Sequence, residues 1–457
     1  MYGKNAWAKY SGKKLDNVMA FNEEYKNFLS TCKTERLCVE YAVKLAKSHG
    51  FKNINDVTTI KSGDKLYATN MGKNVAVFVI GDEPLEKGLN ILGAHIDSPR
   101  IDIKQNPLYE KNDFAMLDAH YYGGIVKYQW VATPLAIHGV VVKKDGKMVD
   151  VHVGESLEDP VLVITDLLPH LAADKMQKTG AKVIEGEDLD LTISSIPMDG
   201  EEKEACKKYV LNLLKDKYGI EEEDFLSAEL EIVPAGPARD LGFDRSMVLG
   251  YGHDDRVCAY TSLRAVLDAG QTKRTSCAYL VDKEEVGSIG ATGAHSKWFE
   301  NVVAELLNKQ NNSYNDLMLR RALTNTYMLS SDVSAGFDPL YPGVFEPKNA
   351  AYLGKGLTFN KYTGARGKSG CNDAMPEFMA KIRNIMDNED VNYQTAELGR
   401  VDVGGGGTIA YIMGNMGMNV IDAGIPVLSM HAPYEAVSKI DVYEAYNGYI
   451  AFVKNIQ

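Results

Sequence analysis

Two hydrophobic textures alternate along the chain. "VAVFVI" (75–80), "LNILGAHID" (89–97), "SCAYLV" (276–281), "TYMLSS" (326–331) and "IPVLSM" (425–430) are short runs of mainly apolar residues, too brief for helices and bounded by polar or turn-forming segments. The run at 89–97 is apolar at even and odd positions alike, as in a central parallel strand covered on both faces. Between these runs the apolar positions take helical spacing. "NEEYKNFLSTCKTERLCVEYAVKLAKSHG" (22–50) reads as a helix stopping at Gly50, and "DDRVCAYTSLRAVLDAG" (254–270) as one capped by aspartate and ended by Gly270. "SKWFENVVAELLNKQ" (296–310) and "MPEFMAKIRNIMDN" (375–388) add two more. From 106 to 238 the texture changes: "LAIHGVVVKKDGKMVDVHVG" (135–154) places two β-rich runs around Asp145-Gly146, a hairpin signal. The pattern predicts an α/β fold in two segments, 1–105 and 239–457, with a β-rich domain inserted at 106–238.

Four of the apolar runs end on residues able to bind metal. They finish at His95, at Glu284 and Glu285 in "DKEEVGS", at Asp332 in "SSDVSAG" and at His431 in "SMHAPYE", while Asp254 in "GHDDR" opens a helix. Parallel neighbouring strands would bring all of these to one crevice beyond their C-terminal ends. Taken one at a time, each also reads as structural: a hydrogen-bonded histidine, a helix cap, a strand terminator or a surface ion pair. Together, two imidazoles and several carboxylates form a donor set without thiolate, suited to Zn²⁺, Mn²⁺ or Co²⁺. The adjacent glutamates also call for a positive partner, because two buried like charges repel.

Composition narrows the function classes. The 457 residues carry a formal net charge of −12 and no long basic tract, which excludes a phosphate-backbone footprint and so argues against nucleic acid. No stretch approaches the roughly 18 uninterrupted apolar residues of a membrane span, and no export signal is visible. Six scattered cysteines without a CxxC pair fit a reducing cytoplasm.

The blocks "GAHIDSPR", "GHDDR", "DKEEVGS", "SSDVSAG" and "SMHAPYE", in this order, resemble the signature blocks of the M18 family of co-catalytic zinc aminopeptidases, the aspartyl aminopeptidase and aminopeptidase I types. The resemblance spans nearly the whole chain. It implies a mixed central sheet flanked by helices, with the insertion serving as a dimerisation or lid domain. It also implies two divalent ions, zinc before cobalt or manganese, held by His95, Asp254, Glu285, Asp332 and His431. Asp254 would bridge, with His95 and Asp332 completing one site and Glu285 and His431 the other. Asp97 would fix the His95 tautomer, and relatives carry a cis peptide at the position of Asp254-Asp255. Glu284, left over once the ligands are assigned, becomes the general base that activates a bridging water and then delivers its proton to the leaving amine.

The implied reaction is hydrolysis of the first peptide bond of substrates with a free N-terminus, with an acidic or a neutral and broad residue preference. Lys361 and Arg366 lie where aspartyl-specific members carry a positive group, although the local pattern departs from theirs at Thr358. His170 in "LLPHLAADK" (167–175) matches a family histidine that reaches into a neighbouring subunit's site, and the resemblance implies a homo-oligomer built from dimers, up to a tetrahedral dodecamer. "VGGGGTIA" (403–410) lacks the lysine of a P-loop and reads as a backbone-rich loop beside the cleft. Two alternatives remain: a non-catalytic metal-stabilised scaffold, and a carboxypeptidase or N-deacylase on a related two-metal core.

Overall fold

The structure is a computed structural model describing residues 4–457, apart from the side chains of Ala365 and Arg366. Its contacts divide the chain into two compact units, Met1–Asp97 with Ala238–Met430 and Glu435–Gln457, and Ser98–Pro237 with His431–Tyr434. The first unit is built on a nine-stranded mixed sheet. Its spatial order is Lys52–Asn53, Lys65–Asn70, Asn74–Val79, Thr275–Val281, Leu89–His95, Tyr327–Ser330, Asn419–Gly424, Leu357–Asn360 and Tyr393–Thr395. The four strands Thr275–Val281, Leu89–His95, Tyr327–Ser330 and Asn419–Gly424 run parallel, and antiparallel strands flank them.

Burial on both faces explains the unbroken apolar runs. Leu92 and Ala94 pack on one side with the helices Lys13–Thr31, Glu35–Ser48, His253–Asp268, Pro376–Asn388 and Lys439–Asn455; Leu89 and Ile91 pack on the other with Trp298–Asn311, Asp316–Thr324 and Ala410–Asn415. This is the period-two alternation of a strand between two helix layers.

Two of the expected elements differ. The single helix read over 22–50 is two helices, Lys13–Thr31 and Glu35–Ser48. Cys32 leaves helical geometry and the Thr34 hydroxyl caps the second helix, accepting from the Leu37 amide at 3.3 Å. Gly50 still marks the stop, at φ +83°. The run at 425–430 does not join the main sheet. That neighbour is Asn419–Gly424, whereas Pro426–Leu428 belongs to a separate five-stranded sheet with Arg239–Leu241, Met247–Gly250, Glu435–Ser438 and Ser334–Ala335.

The second unit carries a six-stranded antiparallel sheet, ordered Met148–Val153, Leu135–Val142, Ala228–Pro234, Arg100–Lys111, Phe114–Tyr122 and Leu191–Ser194. The hairpin at Asp145-Gly146 is present, with the Lys147 amide donating to Asp145 Oδ1 at 2.9 Å and Gly146 at φ +83°. This unit begins at Ser98, and its first strand, Arg100–Lys111, runs across the boundary expected at 106. No helix among the described residues is long and apolar enough to cross a membrane. All six cysteines are free.

Candidate metal centre

Register levels the strand ends. Val281 pairs with His95 across one strand boundary and Ser330 pairs with Gly93 across the other, so Glu284, Glu285 and Asp332 leave the sheet within a few residues of His95. A parallel array does this automatically, since every strand points its carboxyl end the same way. Asp254 arrives from the helix His253–Asp268. Gly252, at φ +75°, is the N-cap there, not Asp254 as the sequence pattern suggested. Asp254 and Asp255 have non-helical dihedral angles and are joined by a cis peptide bond, as the resemblance implied.

His95 is buried and held at both ring nitrogens. Nδ1 lies 3.2 Å from Asp97 Oδ1 and 3.0 Å from the Asp97 carbonyl oxygen, while Nε2 lies 3.1 Å from Asp254 Oδ1 and 3.9 Å from Glu284 Oε2. Its backbone N–H donates to Asp255 Oδ2 at 3.3 Å. Asp97 has a second task that the sequence did not reveal. Its two oxygens accept the backbone amides of Glu284 and Glu285, each at 3.2 Å. One carboxylate therefore orients both the imidazole and the turn that carries the glutamate pair.

That turn is not strand. Glu284–Val286 form one turn of 3₁₀ helix, entered through Lys283 at φ +69° and left through Gly287 at φ +91°. Successive side chains in such a turn diverge by about 120°, so the two carboxylates face different directions. Donor atoms of His95, Asp254 and Asp332 lie within 4.8 Å of one another, and so do those of His95, Glu284 and Glu285.

The electrostatics fit a cation. Burial and the neighbouring Asp255 push the Asp332 carboxyl well above the usual carboxylate range, and burial does the same to Asp255. For His95, burial lowers the pKa, but hydrogen bonds to Asp254 and Asp97 outweigh it and raise the value well above normal. If Nδ1–H donates to Asp97, the Nε2 lone pair faces the Asp254 oxygen. A proton or a divalent ion removes that conflict, and the nitrogen and oxygen donors without thiolate suit zinc.

His431 and His170 group with the second unit. His431, at φ +65°, lies in the four-residue segment between Met430 and Glu435, and its Nδ1 is 2.8 Å from the Gly124 carbonyl. Donation to that carbonyl leaves Nε2 as the lone-pair nitrogen. His170 is exposed in the 3₁₀ turn Pro169–Leu171. Of the other candidates, Lys361 forms an ion pair with Asp373, Thr358 is buried in its strand, and the side chain of Arg366 lies outside the described residues.

The glycine loop is tied to the sheet by a residue the sequence reading passed over. The Gly406 amide donates to the Thr363 carbonyl at 2.9 Å, and the Thr408 hydroxyl donates to Asp422 Oδ1 at 2.7 Å. Asp422 is buried, with its carboxyl pushed up to about 6 by burial, and it pairs with Ser330, which pairs with Gly93. The loop is thus anchored to the row of the sheet two residues below His95. A lone acid in "NVIDAG" was the available signal.

Residues 28–453 match the family model of the aminopeptidase I zinc metalloproteases (M18). A protein of Clostridium acetobutylicum described as a probable M18 family aminopeptidase 1 is 61% identical over 457 residues, covering 99% of this chain and 98% of its own length. The crystal structure of an M18 aminopeptidase from Thermotoga maritima superposes with a TM-score of 0.96 at 43% identity, covering all of both chains. The S. cerevisiae mApe1 dodecamer shares the fold at 21% identity, with a TM-score of 0.78, 95% of this chain and 97% of that one covered.

Proposed function

The chain belongs to the M18 family of aminopeptidase I zinc metalloproteases, and from that premise we propose that it removes the N-terminal residue of peptides bearing a free α-amine, with Glu284 as general base at a two-zinc centre. The observation that carries this reading is the single Asp97 carboxylate holding the His95 ring and both glutamate amides, so that ligand and base are positioned together. His95, Asp254 and Asp332 would hold one ion. Asp254 would be shared with the second, for which Glu285 and His431 are the remaining ligands. When bound, the ions act as Lewis acids that acidify water, polarise the scissile carbonyl and anchor the substrate amine.

The chain's own groups do the rest. Glu284 takes a proton from the attacking water and passes it to the leaving amine, while the fixed Asp97 keeps the His95 tautomer constant through the cycle. The glycine loop, anchored through Thr408 and Asp422, offers backbone for close approach of the substrate chain. Lys361 already faces Asp373, which favours a neutral or broad residue preference over an acidic one. The yeast dodecamer supports a homo-oligomer; assembly from dimers through the insertion, with His170 reaching the neighbouring subunit's site, is what the family resemblance implies. Free cysteines support a cytoplasmic location.

A substrate panel tests the reaction. Zinc- or cobalt-loaded protein should cleave Leu-, Asp- and Glu-aminoacyl amides, with Leu at least as fast as the acidic pair, and should leave their N-acetylated forms intact. Activity confined to blocked substrates would replace this reading with an N-deacylase.

A further inference from the structure

The second unit holds a separate cluster of metal-capable side chains. His138 on Leu135–Val142 and His152 on Met148–Val153 are direct cross-strand partners, and Met148–Val153 is an edge strand of the six-stranded sheet. Their Nδ1 atoms stand 3.1 Å apart. The other nitrogen of His138, Nε2, lies 2.7 Å from Glu155 Oε1, and the second Glu155 oxygen accepts from the Gly236 amide at 3.1 Å. His138 is buried, whereas His152 is exposed.

An ionised carboxylate only accepts, so the contact with Glu155 puts a proton on His138 Nε2 and, in the neutral ring, the lone pair on Nδ1. That lone pair points at His152 Nδ1. A hydrogen bond between the rings requires His152 to carry its proton on Nδ1; moving that proton to the Nε2 position turns both lone pairs toward the same point. We propose that His138 and His152 bind one divalent late transition metal, zinc by preference, through their two Nδ1 atoms, with water completing the coordination.

Three observations support the site. Two nitrogens at zinc-bond length and tetrahedral angle stand about 3.3 Å apart, within a few tenths of an ångström of the observed pair. Glu155 behind His138 reproduces the carboxylate–histidine–metal arrangement that fixes a ligand's tautomer and raises its basicity. Partial desolvation of the ring, and then the neighbouring His138, lower the His152 pKa, which favours the neutral form able to ligate. The step is a tautomer shift and a ligation, with no redox partner and no net loss of protons. Its consequence is a staple across the edge strand, the part of a sheet most exposed to peeling or to mispairing. The cluster shares no residue with the strand-end centre.

Zinc-loaded full-length protein, dialysed against graded free Zn²⁺ and analysed for metal per chain, tests this directly. Wild type should take up one more zinc per chain than His152→Asn, and Glu155→Gln should need about 10- to 100-fold more free zinc for the same uptake. Turnover at low free zinc should be the same in wild type and His152→Asn. In parallel, Zn²⁺ should protect His152 of the wild type from diethylpyrocarbonate, read by peptide mass spectrometry. Equal uptake by His152→Asn, or a His152 modification rate indifferent to zinc, overturns the proposal.

Discussion

His95 and His138 are both buried imidazoles with a carboxylate at one ring nitrogen, yet what faces the other nitrogen differs. His95 turns Nε2 toward Asp254, with Glu284 close by, and stands at the end of a parallel strand where Asp332 and Glu285 also gather. His138 turns Nδ1 toward a second imidazole directly opposite it in an antiparallel ladder. The first environment has a surplus of negative charge removed from water, which only protons or cations can balance; the second sets a single carboxylate, Glu155, beside two imidazoles. The same carboxylate–imidazole pair would therefore hold an ion strongly in the first place and more weakly, open to solvent, in the second.

The sharpest way to break this comparison lies in the glutamate pair. Glu284→Gln should retain its zinc while kcat falls by about 10²- to 10⁴-fold, the usual share of general acid–base catalysis. Glu285→Ala should lose about one zinc per chain by metal analysis, so that the two adjacent positions separate chemistry from binding. Should Glu284→Gln keep near-normal turnover, the assignment of the base is wrong.

A smaller effect is expected where the two histidines are most alike. Asp97→Asn should weaken zinc affinity about 10- to 100-fold, in the same range as Glu155→Gln at the other site, if both carboxylates act by fixing a tautomer. Because Asp97 also holds two backbone amides, its variant should lose kcat beyond what saturating zinc restores. Full recovery of turnover at high zinc would reduce Asp97 to a ring-orienting role.

The smallest effect concerns protons. His152 has a lowered pKa in the folded chain, from partial desolvation and then from His138, with Asp150 and Glu155 opposing. A depressed histidine leaves stability intact above its unfolded value of about 6.5 and removes some as pH falls through that value toward the folded one. The melting temperature of zinc-free wild type should therefore drop more between pH 7 and 5 than that of His152→Asn, by on the order of a degree. Parallel curves would remove His152 from the acid response.

Much of the strand-end centre was legible beforehand. The runs ending at His95, Glu284-Glu285 and Asp332 are parallel strands or their exits, and an unbroken apolar run followed by a ligand type is a pattern that local sequence can display. The expectation of adjacent strands failed at 425–430, because Ile425 and Pro426 follow directly on Asn419–Gly424 and carry the chain into another sheet. The helix break at Cys32–Thr34 was hidden by apolar spacing that continues across it, although Thr34 was a visible cap. The pairing of His138 with His152 cannot be read from the hairpin's sequence, since their meeting depends on register across the turn.

The sequence by itself determined the α/β class, the family and the candidate donor residues, because periodicity, glycine stops and motif blocks are local properties. The tertiary structure decided which donors face each other. Asp97 becomes a joint brace only when two strand ends are level, and Asp422 reaches Thr408 only because the helix Ala410–Asn415 folds back on the strand that follows it. The His138–His152 pair exists only because a two-stranded ladder fixes which residues stand opposite. Such distances depend on register and crossover, which couple residues far apart in the chain and leave no trace at any single position.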